Sequence, residues 1–113
     1  MSPADQIQEI ERNLETAKAL VETNSAFQRL LKNSDFKHVI TEGYLQKEAI
    51  RLVKLKAEAS MASPEKQALI LRDIDSIGSL HQYFTTIVQL AGMAERSIVS
   101  DEATHAELLA EGA

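Results

Sequence analysis

The chain has 113 residues, 17 of them acidic and 12 basic, which give a net charge of −5, and it contains no cysteine. Its length suits one domain, so we predict a single helical domain over residues 1–113. The negative charge disfavours binding to nucleic acid, and the absence of cysteine excludes disulfides, thiolate metal sites and cysteine nucleophiles.

The first residues, MSPADQIQEIERN, are acidic and polar. A secretory signal would have a basic start and an apolar run there, so we expect the protein in the cytoplasm. Only two prolines and four glycines occur in the chain, and helix-forming residues such as Ala, Leu, Glu and Lys dominate. This composition predicts an all-α protein, a helical bundle or hairpin.

Two Ser-Pro pairs indicate helix starts, at Ser2-Pro3 and at Ser63-Pro64. Serine is a favoured N-cap, and proline is tolerated in the first helical turn because its missing N–H would have no partner there. Each pair therefore predicts that a helix begins at its proline.

After the first pair, apolar residues step by three and four, which predicts an N-terminal helix over about 3–22. These residues are Ile7, Ile10, Leu14, Ala17 and Val21. Asn24 or Ser25 can cap a new helix, so residues 26–32 either continue the first helix or form a short second one. We favour a break.

The segment NSDF, residues 33–36, is a turn and cap signal, and the sequence after it predicts a helix over about 35–59. One face of this helix is apolar and consists of Leu45, Ala49, Leu52, Val53 and Ala57. The other face is charged and consists of Lys47, Arg51, Lys54 and Glu58. The helix is therefore amphipathic.

After the second Ser-Pro pair an apolar stripe continues for about 35 residues, which predicts one long helix over about 64–99. The stripe consists of Ile70, Ile74, Ile77, Leu80, Phe84, Ile87, Val88, Ala91 and Ile98. Gly78 and Gly92 each cost about 1 kcal/mol relative to alanine inside a helix, so either can mark a kink or a close helix crossing. Ser100 or Asp101 can cap a last short helix, EATHAELLA.

The stretch SIGSLHQYFTTIVQLAGMA, from Ser76 to Ala94, contains no Asp, Glu, Lys or Arg. It is too rich in amides and hydroxyls for a membrane span. A face that lacks charge but keeps amides and hydroxyls is typical of an interface core, so we predict a homo-oligomer. The predicted subunit contact consists of Ser79, Gln82, Thr85, Thr86 and Gln89. Burial within one chain is the alternative.

Residues 29–56 contain seven basic and three acidic side chains, in a chain that is negative elsewhere. We predict a partner-binding face here, which consists of Tyr44, Lys47, Arg51, Lys54 and Leu55. A solvated helix face is the alternative. The C-terminal residues are acidic and contain no Lys or Arg after Arg96, so they can dock on this face within one chain or between subunits.

Two short spacings are similar to metal-ligand pairs, Glu102-x-x-His105 and Asp35-x-x-His38. Both lie at predicted helix starts, where the helix dipole favours acidic residues, so we expect no metal site and no cofactor. His81 has no acidic residue within one turn, and we interpret it as a core or interface histidine. No phosphate loop, nucleophile elbow or HExxH motif occurs, so we expect no enzymatic activity.

Two stretches, LLKNSDFKHVITEGYLQKEAIRLVKLKA and LRDIDSIGSLHQYFTTIVQLAGMAERSIVSDEATHAELLAE, cover most of the chain. In spacing and residue type they resemble a family of small helical proteins of tailed bacteriophages. Genes of that family often lie among those for head and packaging components. The resemblance implies an assembly or virion-associated role, in the host cytoplasm or in the particle, and it assigns no functional residues.

We therefore predict a non-enzymatic phage structural or virion-assembly protein, a helical oligomer that meets another phage or host protein through its basic face or its acidic tail. The first alternative is an accessory factor that blocks a host protein or sequesters a small ligand. The second is a packaging factor that binds nucleic acid through residues 29–56, which the net charge of −5 disfavours.

Overall fold

A computed structural model describes residues 2–112 of the chain, and every regular element within them is a helix. The predicted all-α class is therefore confirmed, with the longest helix in the C-terminal half. The elements in chain order are α1 (Pro3–Leu31), α2 (Ser34–Phe36), a π-helical segment (Lys37–Glu48), α3 (Ala49–Lys56), a 3₁₀ turn (Ala59–Met61) and α4 (Pro64–Gly112).

Both Ser-Pro pairs begin a helix, as predicted. At the start of α1 the Ser2 hydroxyl accepts a hydrogen bond from the Asp5 N–H at 3.1 Å. At the start of α4 the Ser63 hydroxyl accepts one from the Lys66 N–H at 3.3 Å. Each serine therefore satisfies a backbone donor that the first helical turn leaves without a partner.

The predicted break at Asn24 or Ser25 is wrong, because α1 continues past residue 22 to Leu31. Phe27 is buried, and Asn24 and Leu31 are half-buried, so burial recurs at the helical spacing through the expected break. Packing on this face outweighs the preference of Asn24 and Ser25 for cap positions.

The predicted end of the long helix near residue 99 is also wrong, since α4 has 49 residues and continues to Gly112. Asp101 does not cap a new helix, because its carboxylate accepts a hydrogen bond from the Ser97 hydroxyl, one turn earlier, at 3.3 Å. Half-buried side chains continue beyond this point at Ile98, Asp101, His105 and Leu108. This stripe carries the helix through the cap signal.

Neither interior glycine of α4 marks a close helix crossing. A Cβ atom built at Gly78 would meet nothing within 4 Å. One built at Gly92 would meet only the Arg96 guanidinium, at 3.9 Å, which is an ordinary contact distance. The helix is also unbroken at both positions.

The helix predicted over about 35–59 is present, but its centre is not an α-helix. Lys37–Glu48 is π-helical, a wider coil with i→i+5 hydrogen bonds that the apolar spacing did not predict. At Gly43 a Cβ atom would lie 2.7 Å from the carbonyl oxygen of His38, closer than real Cβ atoms come to a backbone oxygen. The segment therefore needs glycine at this position.

Side-chain hydrogen bonds cap both ends of the region from α2 to α3. The Asn33 side chain accepts a hydrogen bond from the Phe36 N–H at 2.9 Å, which confirms the predicted cap signal. After α3, the Gln67 amide donates to the carbonyl oxygens of Lys56, at 3.0 Å, and Met61, at 2.7 Å. One side chain of α4 thus satisfies two carbonyls of the connection between α3 and α4.

The described residues divide into two compact units. Unit 1 combines the residues up to Phe27 with those from Thr86 onward, so it contains most of α1 and the C-terminal part of α4. Its buried side chains are Leu14, Ala17, Phe27, Ala91 and Ala94. Because three of these five are alanines, the core of unit 1 is thin.

Unit 2 is the segment Gln28–Thr85. Its core is a cluster of three buried aliphatic residues, Leu52, Ile70 and Ile77. Partly buried side chains pack around this cluster, namely Tyr44, Leu45, Ala49, Leu55, Met61 and Ile74. The cluster joins α3 to the first half of α4.

Candidate interaction surfaces

The uncharged stretch of α4 is buried on one side only. Ile77 belongs to the core of unit 2, and Ala91 and Ala94 belong to the core of unit 1. None of the helices in residues 2–112 has both the length and the apolar character that a membrane crossing requires. Burial within the chain thus explains the apolar side of the stretch and leaves the other side to be explained.

The side chains predicted to form the subunit contact are all exposed. Ser79, Gln82 and Thr85 lie in unit 2, and Thr86 and Gln89 lie in unit 1. The Thr85 hydroxyl donates to the His81 carbonyl oxygen at 3.1 Å, the usual local bond of a threonine inside a helix. The exposed side therefore offers hydroxyls and amides without a charge.

A groove in unit 1 borders this uncharged side. Its volume is about 360 Å³. Its lining is entirely uncharged and consists of Asn13, Thr16, Ala17, Leu20, Leu90, Met93, Ala94 and Ser97. Leu90 is 39% exposed and Met93 is 58% exposed. We name this feature the neutral groove.

Leu90 and Met93 were not among the predicted contact residues. A helical step was the signal that could have found them, because Leu90 follows Thr86, and Met93 follows Gln89, at a spacing of four residues. The predicted contact consists of polar residues opposite the apolar stripe, and it omits the two apolar residues that lie among them.

The residues of the predicted partner-binding face fall into two groups, exposed side chains and side chains that pack against the core. Lys47, Arg51 and Lys54 are exposed, as expected for a binding face. Tyr44 and Leu55 instead pack against the core cluster of unit 2 and are only half-buried there. The exposed part of the face is therefore basic, and its predicted apolar members serve the fold.

Two other apolar side chains of α3 are exposed beside the lysines. Ile50 is 55% exposed and Val53 is 61% exposed. Together with Ala49 and Lys54 they line a shallow groove of about 260 Å³. Val53 belongs to the predicted apolar face but is exposed, because Leu52 and Leu55 are the leucines of α3 that pack in the core cluster, which does not include Val53.

The three basic side chains differ in their partners. The Arg51 guanidinium donates to the Glu48 carboxylate one turn earlier, and this hydrogen bond raises the pKa of Arg51. Lys47 and Lys54 form no ion pair with any residue that the structure describes. Their charges are therefore available to a partner.

The acidic C-terminal residues contact α1 within unit 1. The Glu102 carboxylate lies 3.7 Å from the Lys18 ammonium, and the His105 ring lies 3.1 Å from the Glu11 carboxylate. A groove of about 680 Å³, to which mainly charged residues contribute, lies beside these pairs. In this chain the partner of Glu102 is thus Lys18 of α1.

The two spacings of metal-ligand type do not gather further ligands. Glu102 and His105 have the partners just described, and His38 is exposed. Within residues 2–112 no group of three or more His, Cys, Asp or Glu side chains is arranged to hold a metal ion. His81 is exposed rather than buried in a core.

No protein family, curated protein or solved structure matches the chain. The resemblance to helical phage proteins therefore stays a prediction that rests on the residues alone.

Proposed function

We propose that the protein is a non-enzymatic assembly or structural protein of a tailed bacteriophage, and that it self-associates through the uncharged side of α4. The observation that carries this proposal is the neutral groove, where exposed Leu90 and Met93 lie among side chains without charge. The phage setting is supported by the sequence resemblance only.

The chemistry of the neutral groove suits a subunit contact. Interface cores are depleted of charged residues and retain apolar and amide side chains. Burial of exposed apolar area contributes about 25 cal/mol per Å². Met93 and Leu90 supply such area, and Thr86 and Gln89 supply hydrogen-bonding groups beside it.

The thin core of unit 1 supports the same proposal. Alanine side chains bury little apolar surface, so α1 and α4 gain less from packing on each other than helices joined by leucines would. A second copy seated on the neutral groove adds apolar contacts where the chain has few of its own.

The proposal is tested by the mass of the purified protein, measured by light scattering after gel filtration at low and high salt. We expect a defined oligomer that persists at high salt, because a contact without charges is little affected by screening. A monomer at every salt concentration and at high protein concentration would overturn the proposal.

Single substitutions locate the contact. Gln89→Lys and Met93→Lys each place a charge in the proposed contact, and we expect association to weaken at least tenfold with the fold retained, because both side chains are exposed. Gln8→Lys is the matched control, since it adds the same charge at an exposed position of α1 outside the groove. Equal effects of all three variants would remove the neutral groove from the contact.

Our proposal for where the protein acts, in the phage particle or in the host cytoplasm, rests on the sequence resemblance to phage proteins. Mass spectrometry of purified phage particles separates a virion component, which would be present in each particle at a fixed copy number, from an assembly factor left in the host cytoplasm.

A further inference from the structure

We infer that the exposed face of α3 binds the acidic end of α4 from a second copy of the chain. We name the α3 face as Ile50, Val53 and Lys54 of α3 together with Lys47, which lies near the end of the preceding π-helical segment. The inference rests on the proposed function, because it assumes self-assembly, but it uses a contact distinct from the neutral groove.

The α3 face combines an apolar groove with two free cations. Ile50 and Val53 are more than half exposed and line a groove of about 260 Å³. Lys54 also lines this groove, Lys47 precedes Ile50 by three residues, and neither lysine has an ion pair among the described residues. Such a surface suits a helix that carries an apolar side chain and carboxylates along one row.

The end of α4 presents that combination. Val99, Ala103, Glu107 and Glu111 follow one another at intervals of four, so they form one row along the helix, and all four are exposed. Val99, at 73%, is exposed to a greater extent than Ile50 or Val53. Glu107 and Glu111 have no ion pair within residues 2–112. We name these four residues the tail row.

The tail row is available without unfolding. The half-buried side chains of the same segment, Ile98, His105 and Leu108, lie off this row, and His105 contacts Glu11 of α1. The end of α4 can therefore keep its contacts in unit 1 while the tail row meets another copy.

Charge complementarity selects the occupant. Residues 29–56 hold seven basic and three acidic side chains, whereas the residues after Arg96 hold four acidic side chains and no Lys or Arg. Opposite potentials steer two copies together with the α3 face against the tail row, and like charges disfavour face against face or tail against tail. Because the two surfaces differ, the contact is head-to-tail and builds a ring or an open filament.

The experiment exchanges the charges of the two surfaces. One variant carries Lys47→Glu and Lys54→Glu, and a second carries Glu107→Lys and Glu111→Lys. We expect each alone to lose the salt-sensitive assembly of the parent, with at least tenfold weaker association at low salt. An equimolar mixture regains it, because every contact between unlike variants joins opposite charges. Light scattering at low and high salt measures all three samples.

A matched control and the contrary outcomes complete the test. Lys32→Glu with Lys37→Glu changes the net charge equally at two exposed lysines outside the α3 face, and we expect it to assemble like the parent. The inference is overturned by a parent whose mass is the same at low and high salt, by a mixture that does not regain assembly, or by a control that loses it. A salt-resistant oligomer sensitive to Gln89→Lys reports on the neutral groove alone, so failures of the two proposals are distinguishable.

Cross-linking gives a second readout on the folded chain. Because the chain has no cysteine, a Val53→Cys variant mixed with a Val99→Cys variant forms a mixed disulfide only where the two surfaces meet. We expect mixed dimers at low salt, and we expect their yield to fall at least fivefold when Gln8→Cys replaces Val99→Cys. Equal yields from both mixtures would contradict the contact.

Discussion

The two units of the protein are built around different cores. In unit 2 the buried side chains are a leucine and two isoleucines, 2% to 6% exposed, with half-buried residues packed around them. In unit 1 the buried set contains three alanines beside Leu14 and Phe27. The packing of aliphatic side chains therefore stabilises unit 2, whereas the helices of unit 1 contact each other mainly through small side chains.

From this difference we infer which unit gains more stability when a partner covers its exposed apolar side chains. Apolar area buried within unit 2 already covers one side of α3 and of the first half of α4. Unit 1 leaves Leu90 and Met93 exposed beside its alanine core. Regions with few buried apolar contacts open at lower free energy, so covering the neutral groove is expected to matter most for unit 1.

The largest expected effect is in the core of unit 2. Leu52→Ala removes a side chain that is 2% exposed and leaves a cavity between α3 and α4. We expect the free energy of unfolding to fall by about 2–5 kcal/mol, measured by chemical denaturation. Hydrogen exchange should show the loss of protection in residues 28–85 first.

Leu69→Ala is the control for that loss. Leu69 is 51% exposed on α4 in the same unit, so we expect its removal to cost less than about 1 kcal/mol. Equal costs for Leu52→Ala and Leu69→Ala would mean that the aliphatic cluster is not the core of unit 2.

Ala91→Leu tests the alanine core of unit 1. Ala91 is 1% exposed, so a larger side chain has no space in the alanine core of unit 1. We expect a loss of about 1–3 kcal/mol in the free energy of unfolding from overpacking. Ala106→Leu, at an exposed position of the same helix, should change it by less than about 0.5 kcal/mol.

A stabilising effect of Ala91→Leu would contradict a closely packed core in unit 1. It would mean that unit 1 has unfilled volume at its centre, and that its core is loose rather than closed by small side chains. The same denaturation curves decide between the two results.

The main features of the fold were predictable, because they follow from local chemistry. Short sequence motifs predicted the two serine caps and the Asn33 cap, and the long apolar stripe predicted α4. The predicted helix ends near residues 22 and 99 are wrong for the same reason, because residue types that often cap a helix also occur in its interior. Only burial, which depends on the partner helix, decides whether such a residue ends a helix.

Degree of burial was less predictable than helix position. Phe84 belongs to the predicted apolar stripe and is half-buried, with its ring at 60° to the ring of Phe36 and a centroid distance of 6.1 Å. Val53 belongs to the predicted apolar face of α3 and is exposed. Periodicity gives the side of a helix, but the edges of that side depend on how far the neighbouring helix reaches.

The π-helical segment was not predictable from apolar spacing, and it yields a further prediction within unit 2. Gly43→Ala places a Cβ atom 2.7 Å from the His38 carbonyl oxygen, so the backbone must shift. We expect a loss of about 1–3 kcal/mol in the free energy of unfolding. Circular dichroism and denaturation measure the change.

Gly78→Ala is the matched substitution with the opposite sign. A Cβ atom at Gly78 meets nothing within 4 Å, so alanine only improves helix propensity and should stabilise the protein by about 0.4–1 kcal/mol. If both variants were stabilised, the segment around Gly43 would be an ordinary α-helix in solution.

The smallest expected effect concerns the tail contact of unit 1. Lys18→Gln removes the ion pair with Glu102, whose atoms are 3.7 Å apart and whose side chains are 61% and 56% exposed. Exposed pairs contribute about 0.2–1 kcal/mol and are screened by salt, so the loss should be measurable at low salt and vanish at high salt. Denaturation at both salt concentrations checks this. A loss above about 2 kcal/mol at either would contradict it, because the end of α4 would then depend on charge, whereas the half-buried stripe of Ile98, His105 and Leu108 explains its position by packing.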